Sequence, residues 1–599
     1  MTDQVATRTG AEEITWDLSD LYSAVNDLAI DRDFNEAIAR AEKLAENYKD
    51  RIASLDTEEM RDLLEEYEAI NNLAQKIGAY AYLHWSTNTE DAARGALLQK
   101  SNERESRLNQ KLIFVELEWA HTPEEKARSL MQNPVLEKYR HWLEVARLYQ
   151  PYLLSEPEEK ILSEKSVTGR NAWMRFLDET LGAKRYDLRS EMAAQEVVLS
   201  KLYEPDRDLR HDASKAMTQG LTDMARITTF VFNSVLADKA SDDELRGYPA
   251  WISSRNLGNQ VDDKSVEALI EAVTSRYDIV ERYYNLKRRL LGLDELTEYD
   301  RYAPLPSASR TYTWDEAREI VLNAYGAFHP RMSEIASLFF ERNWIDAAPT
   351  PGKIGGAYSA NITPDTHPYI LMNFEGKAKH VRTLAHELGH GVHQYLSRER
   401  GLLEMHTPLT TAETASVFAE MLIFQDLLSR ETDPEIRLSM LTTKLEESFA
   451  TVFRQIAMNR FEDAIHIARR TEGELTTERF SELWLQTQRD MFRGSVNLTD
   501  DYGIWWSYVT HFIHVPGYVY AYSFGELLVL ALYARYQEVG SDFADLYLKM
   551  LAAGGSDWPN ELVKPLGVDL SDPNFWTHGL QILDEMGTEA EVLASQIGK

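Results

Sequence analysis

Residues 384–393 read LAHELGHGVH, and His386, Glu387 and His390 within them form the pattern H-E-x-x-H. On a helix, two histidines four apart stand one above the other on a single face, where they can supply two of the three protein ligands of an open tetrahedral zinc site. Glu387 lies about 100° further round the helix. Its carboxylate can therefore reach a metal-bound water rather than the metal, which is the geometry of a general base. The competing reading is a core helix with satisfied histidines, but burying two histidines and a glutamate without a partner is costly.

The third ligand decides the class of site. A metzincin would carry glycine at 393 and histidine at 396, and this chain has His393 and Leu396 there, so that class is excluded. His393 reads as a residue behind the ligands or on the surface, because a helix rarely offers three consecutive turns to one ion. Glu413 stands 23 residues after His390 (413 − 390), enough chain to bring a second helix back alongside the first. It could equally close a capping box with Thr410 and do no more than start its own helix. Glu420, seven residues on, could be the ligand or could hydrogen-bond a ligand histidine, and Glu404 is a third choice.

These residues need elements to hold them. Val381, Leu384, Ala385, Leu388, Val392 and Leu396 recur at spacings of three and four, giving the motif helix an apolar face. Gly389 costs such a helix about 1 kcal/mol relative to alanine, so its presence points to tight packing or close approach. YILMNF at 369–374, short, apolar and bounded by turn residues, reads as a strand. The paired Gly355 and Gly356 let the backbone pass close to a neighbouring strand or a ligand, or simply bend a loop. Helices are expected over 377–397, about 410–430, 433–471 in one or two pieces, and 476–493. From about 30 to 245 the chain is a succession of amphipathic helices, as in Phe34, Ile38, Ala41 and Leu44. The pattern is mostly helical with one small sheet, without repeats of fixed period.

Composition narrows the partners. With 599 residues, 44% of them hydrophobic, a large core is available, either in three or four units or in one two-lobed body. The 64 basic against 97 acidic side chains leave a net charge of −33, which repels phosphate backbones and anionic lipid, so nucleic acid and membrane partners are not expected. The longest apolar stretch near the C-terminal end, LLVLALYA at 527–534, is far short of a bilayer span. MTDQVATRTGAEEITW lacks the features of a signal peptide, which points to the cytoplasm. The absence of cysteine removes disulfides, thiolate ligands and cysteine nucleophiles.

Taken together, YILMNFEGKAKHVRTLAHELGHGVH and AETAS resemble the strand, active-site helix and glutamate segment of the M3 zinc metallopeptidases, in particular the oligoendopeptidase F branch of the thimet oligopeptidase-like superfamily. ITWDLSDLYS at 14–23, LLSEPEEKILSEK at 153–165, LRSEMAAQEVVLSKLYEPDRDLR and TVFRQIAMNRFE at 451–462 resemble further parts of that branch, in the same order. The resemblance implies one Zn2+ on His386, His390 and Glu413, with Glu387 as general base and Glu420 behind the ligands. GKIGGAYS, with Gly355, Gly356, Ala357 and Tyr358, is similar to the loop that runs beside the bound peptide. Tyr518 and Tyr522, with His511 or His514, match the residues that hydrogen-bond the substrate carbonyl and developing oxyanion; aromatic core packing is the alternative for that passage. The implied fold is mainly α-helical, two helical lobes around a deep substrate channel, with a small β-sheet beside a thermolysin-like H-E-x-x-H helix. The implied domains are a helical region at 1–110, an oligopeptidase F-type domain at 111–200 and a catalytic domain at 201–599. The implied function is zinc-dependent endopeptidase action on short unfolded peptides, with a helical metallocarboxypeptidase or a non-catalytic peptide-binding protein as alternatives.

Overall fold

The computed structural model describes residues 8–305 and 310–599; the first seven residues of the N-terminal stretch and residues 306–309 of RYAPLPSASR lie outside the described residues. The described chain is mainly α-helical with two small sheets. Its helices form where the apolar period and the caps agree. Leu28–Tyr48 starts where the Asp27 side chain accepts the Ala29 N–H, and it turns Phe34, Ala37, Ala41 and Leu44 inward, with Ile38 half-buried beside them. Thr57–Ser86 opens on a reciprocal capping box between Asp56 and Glu59 and adds Met60, Leu63, Leu64 and Ile70 to the same core. Among the described residues no helix is long and apolar enough to cross a membrane.

Two compact units emerge, each discontinuous in sequence. One is drawn from Met1–Gln150, Ser309–Arg430 and Arg535–Asp569, the other from Pro151–Ala308, Glu431–Ala534 and Leu570–Lys599. In the first, Tyr369–Leu371 is the central strand of a three-stranded sheet. It pairs parallel with Ile345–Asp346 (Ile345 opposite Ile370) and antiparallel with Tyr358–Ala360 (Ser359 opposite Ile370). Tyr369, Ile370 and Leu371 are all fully buried, which is why this strand reads as a continuous apolar run rather than an alternating one.

In the second unit the 40-residue helix Arg207–Arg246 packs Phe232 edge-on to Trp506, at 4.7 Å between ring centroids, with Phe480 stacked on the same indole. The expected helical span 433–471 forms in two pieces, Pro434–Thr451 and Phe453–Glu472. The break falls at Val452, where the Ser523 hydroxyl donates to the carbonyl of Val452 (2.8 Å) and lies close to that of Thr451 (3.1 Å). The second sheet, a hairpin of Tyr186–Leu188 and Glu191–Ala193, goes beyond the one sheet expected. Its two-residue turn holds Arg189 and Ser190 at positive φ, +54° and +72°, without the Asn-Gly or Asp-Gly pair that marks such turns in a sequence.

Candidate metal centre

The motif helix is Ala378–Ser397, and its fully buried Val381, Leu384, Ala385, Leu388 and Val392 set which face turns inward. Burying each Val or Leu side chain stabilises by about 1.5–3 kcal/mol, so the helix is held firmly in rotation. Leu396, expected on that face, is half-buried. Gly389 is explained by contact: a Cβ there would stand 2.6 Å from the Ala415 carbonyl oxygen and 2.7 Å from the Ser416 Cα. The helix Thr414–Arg430 therefore crosses the motif helix backbone to backbone at this point. On another side, Gly391 leaves room for Phe339 and for Ile370 of the central strand. Tyr325, fully buried, donates its hydroxyl to the Ala385 carbonyl one residue before His386 (2.6 Å).

This close crossing brings the two ends of the expected ligand set together. Glu413 sits at the junction between the short helix Leu409–Ala412 and Thr414–Arg430. Its Oε2 lies 3.4 Å from Nε2 of His386 and 3.4 Å from Nε2 of His390. Among the described residues, His386, His390 and Glu413 are the group whose ligand atoms converge, all within 4.8 Å of one another. Glu420, one of the choices for third ligand, instead accepts a hydrogen bond from Nδ1 of His386 at 2.6 Å, which turns Nε2 toward the cluster. Glu404 is not brought to the cluster; its Oε1 accepts the Trp142 N–H at 2.9 Å.

The groups of the cluster bias one another's ionisation. Burial pushes the Glu413 carboxyl up, but its hydrogen bond and charge interaction with His390, with His386 and Ser416 adding, hold it at about 2. Burial pushes His386 down, and the Glu420 hydrogen bond and surrounding carboxylates raise it to about 9. Glu387 is 6% exposed, and burial raises its carboxyl against the lowering effect of the two histidines. His393 is buried, not on the surface; burial, with His390 beside it, pushes its imidazole down to about 3.

A cavity of about 400 Å3 opens over this group, and Ala357, Tyr358, Glu387 and His393 line it together with the three converging residues. Gly356 takes φ +81°, a conformation that favours glycine, and neither Gly355 nor Gly356 has a neighbour within 4 Å of where a Cβ would stand. Space is open above this turn. Asn373 holds it from below by donating to the carbonyls of Ile354 and Gly356 (3.0 and 3.2 Å). Tyr358–Ala360 is an edge strand of the sheet, tied to the motif helix by Ser359 donating to Gln394 Oε1 (2.8 Å). The Tyr358 ring packs near Trp16 and Tyr82 and its hydroxyl pairs with Ser86 at 2.7 Å.

The remaining expected residues belong to the other unit. There the aromatic passage divides in two: Trp505, Trp506, Phe512 and Tyr520 are buried in the core, while His511 and Tyr522 are exposed. Tyr522 Oη lies 3.4 Å from His511 Nε2, and the Tyr518 ring is 5.1 Å from that of Tyr522 and 6.5 Å from that of His511. His514 Nε2 instead lies 2.8 Å from the Asp178 carboxylate. Sequence reasoning missed what holds these pieces: Lys353, Ser359, Gln394 and Tyr325 in the first unit. In the second it missed Glu462, whose Oε1 accepts the Gly517 N–H at 2.8 Å before Tyr518. Each is a single polar residue outside any periodic pattern, so no spacing marked it.

Comparison with known proteins gives a consistent picture. The sequence model of peptidase family M3 matches residues 200–582, and that of oligopeptidase F matches 118–186. Oligopeptidase PepF of Bacillus subtilis is 26% identical over 98% of this chain and 88% of its own length. Group B oligopeptidase PepB of Streptococcus agalactiae is 25% identical over 98% of each. Among solved structures, one from Chlamydophila abortus superposes with a TM-score of 0.87 at 23% identity, covering 98% of this chain and all of the other. Oligoendopeptidase-F from Enterococcus faecium gives 0.69 at 21% identity, covering 95% of this chain and 99% of the other.

Proposed function

We propose that this chain, which belongs to peptidase family M3 on its oligoendopeptidase F branch and is a metallopeptidase, cuts internal bonds of short unfolded peptides using one zinc ion held by His386, His390 and Glu413. The observation that carries the reading is the convergence of two imidazole Nε2 atoms and one carboxylate oxygen beside a buried, non-converging Glu387. Two nitrogens and one oxygen with an open side are the donor set of a catalytic zinc site. Bound there, zinc supplies Lewis acidity that polarises a carbonyl and acidifies water.

The chain's own residues supply the rest. Glu387 takes a proton from the attacking water and returns it to the leaving amine, a task helped by burial, which raises its carboxyl. Glu420 fixes the His386 tautomer. The open edge of Tyr358–Ala360 and the bare Gly355–Gly356 turn offer backbone groups to an extended peptide, in the manner of strand addition. His511, Tyr518 and Tyr522 are the donors to the developing oxyanion; what supports them over His514 is that the three stand together while His514 is paired with Asp178.

The test is Glu387→Gln. It should keep one zinc per chain by metal analysis and lose turnover by about 10²–10⁴-fold, whereas wild-type activity in this variant would overturn the mechanism. Product masses from peptides of graded length, with and without chelator, should show internal cuts that vanish on chelation and return with zinc. Stepwise release of single C-terminal residues would mean a carboxypeptidase instead.

A further inference from the structure

The second unit contains a small cavity, about 50 Å3, whose wall includes Tyr284, Arg301, Tyr302, Glu446, Phe449 and Arg454. Such a space admits a few particles the size of water and nothing as large as a peptide residue. Arg454 follows the helix break at Val452, and Arg301 is 4% exposed. Around this space the charges do not balance. Arg454 donates to the Tyr508 hydroxyl (3.3 Å), and its Nε is enclosed with no partner among the described residues. Arg301 donates to the Glu298 backbone carbonyl (3.2 Å) and the Tyr302 hydroxyl (3.1 Å).

The nearby acids are engaged elsewhere. Glu446 on the cavity wall accepts from Lys287 (2.6 Å) and Tyr283 (2.5 Å). The Glu298 carboxylate accepts from the Thr499 hydroxyl (2.7 Å), and Asp300 is held by Arg207 and Arg210. Two guanidiniums thus face a cavity whose one carboxylate is already taken by Lys287 and Tyr283, and both guanidiniums rest on phenol oxygens. A buried charge left in that state is costly. Burial raises the Tyr302 phenol, yet Arg301 and Arg454 outweigh it and bring it below its ordinary value, so the site favours negative charge.

We propose that this cavity binds a small free monovalent anion of halide size between the Arg301 and Arg454 guanidiniums, with the Tyr302 hydroxyl as a third donor. The arginines are suited to it, since a guanidinium is weakly hydrated and keeps its charge when buried. The anion would complete the core of this unit, beside the helix break that carries Arg454.

The test starts from protein exchanged into a gluconate buffer, gluconate being too large for the cavity. Chloride or bromide, substituted for gluconate at constant ionic strength, should raise the thermal midpoint saturably, by roughly 1–4 °C. Arg454→Met should remove the saturable part. Crystals of the wild type grown in bromide should show an anomalous peak between the two guanidiniums, a readout that does not depend on the variant folding. Absence of that peak, or equal responses to chloride and gluconate, would overturn the proposal. So would a tyrosinate absorption band at neutral pH that disappears in Tyr302→Phe, because the phenolate would then be the missing negative charge.

Discussion

Glu404 and Glu413 lie on the same connecting segment, and their surroundings send their carboxyls in opposite directions. Glu413 meets two imidazoles and is held at about 2; Glu404 meets no cation, and burial pushes it up to about 8 despite the Trp142 N–H. Its Oε2 has no hydrogen-bond partner among the described residues. From sequence both could serve as third ligand, since what separates them is contact with residues far away in the chain. The raised carboxyl has a consequence for stability. The folded chain keeps a proton that the unfolded chain releases above about pH 4.3, so the Glu404 contribution weakens stability as pH rises from there to about 8. Glu404→Gln should flatten part of that decline in denaturant midpoints measured between about pH 5 and 8. A residual slope is expected from Glu462, which burial also lifts to about 8. An unchanged slope in the variant would mean that Glu404 is ionised in the fold.

Between the sheet and the glycine turn, one side chain does the work of a strand. Lys353, its side chain wholly buried, donates to the Asp346 carboxylate (2.5 Å) and to the carbonyls of Ala348 and Met372 (2.9 and 2.7 Å). Burial lowers the lysine and raises the aspartate, and their mutual attraction opposes both shifts. Lys353→Met would leave Asp346 buried without its partner, and a loss of about 3–5 kcal/mol in unfolding free energy is expected. The double variant with Asp346→Leu should recover much of it; equal losses in single and double variants would mean that the pair is not what anchors the turn. The motif helix, its glycine at a close crossing, the central strand and the presence of the later helices were legible because period and turn residues are local signals, whereas the spacing leaves the break at Val452 open. The Lys353 anchor and the 186–193 hairpin were not legible, because the first is a tertiary contact and the second a turn of unusual composition.

At the scale of the whole chain, the net charge of −33 is the property most directly readable from composition, and it acts on substrates before any contact forms. A basic peptide should show a kcat/KM about ten-fold or more above that of an acidic peptide of equal length at low ionic strength, with the gap closing as gluconate salt is added. A ratio indifferent to salt would confine the discrimination to the site itself. Nothing in composition marks the places where one compact unit gives way to the other. Read in order of synthesis, the chain passes between the two units five times, and each still awaits a segment beyond residue 534. A ribosome therefore releases no finished half of this protein. The motif helix and its glutamate are made well before the last pieces of their own unit, so the nascent chain carries the metal-seeking residues through a long interval in which their packing is incomplete.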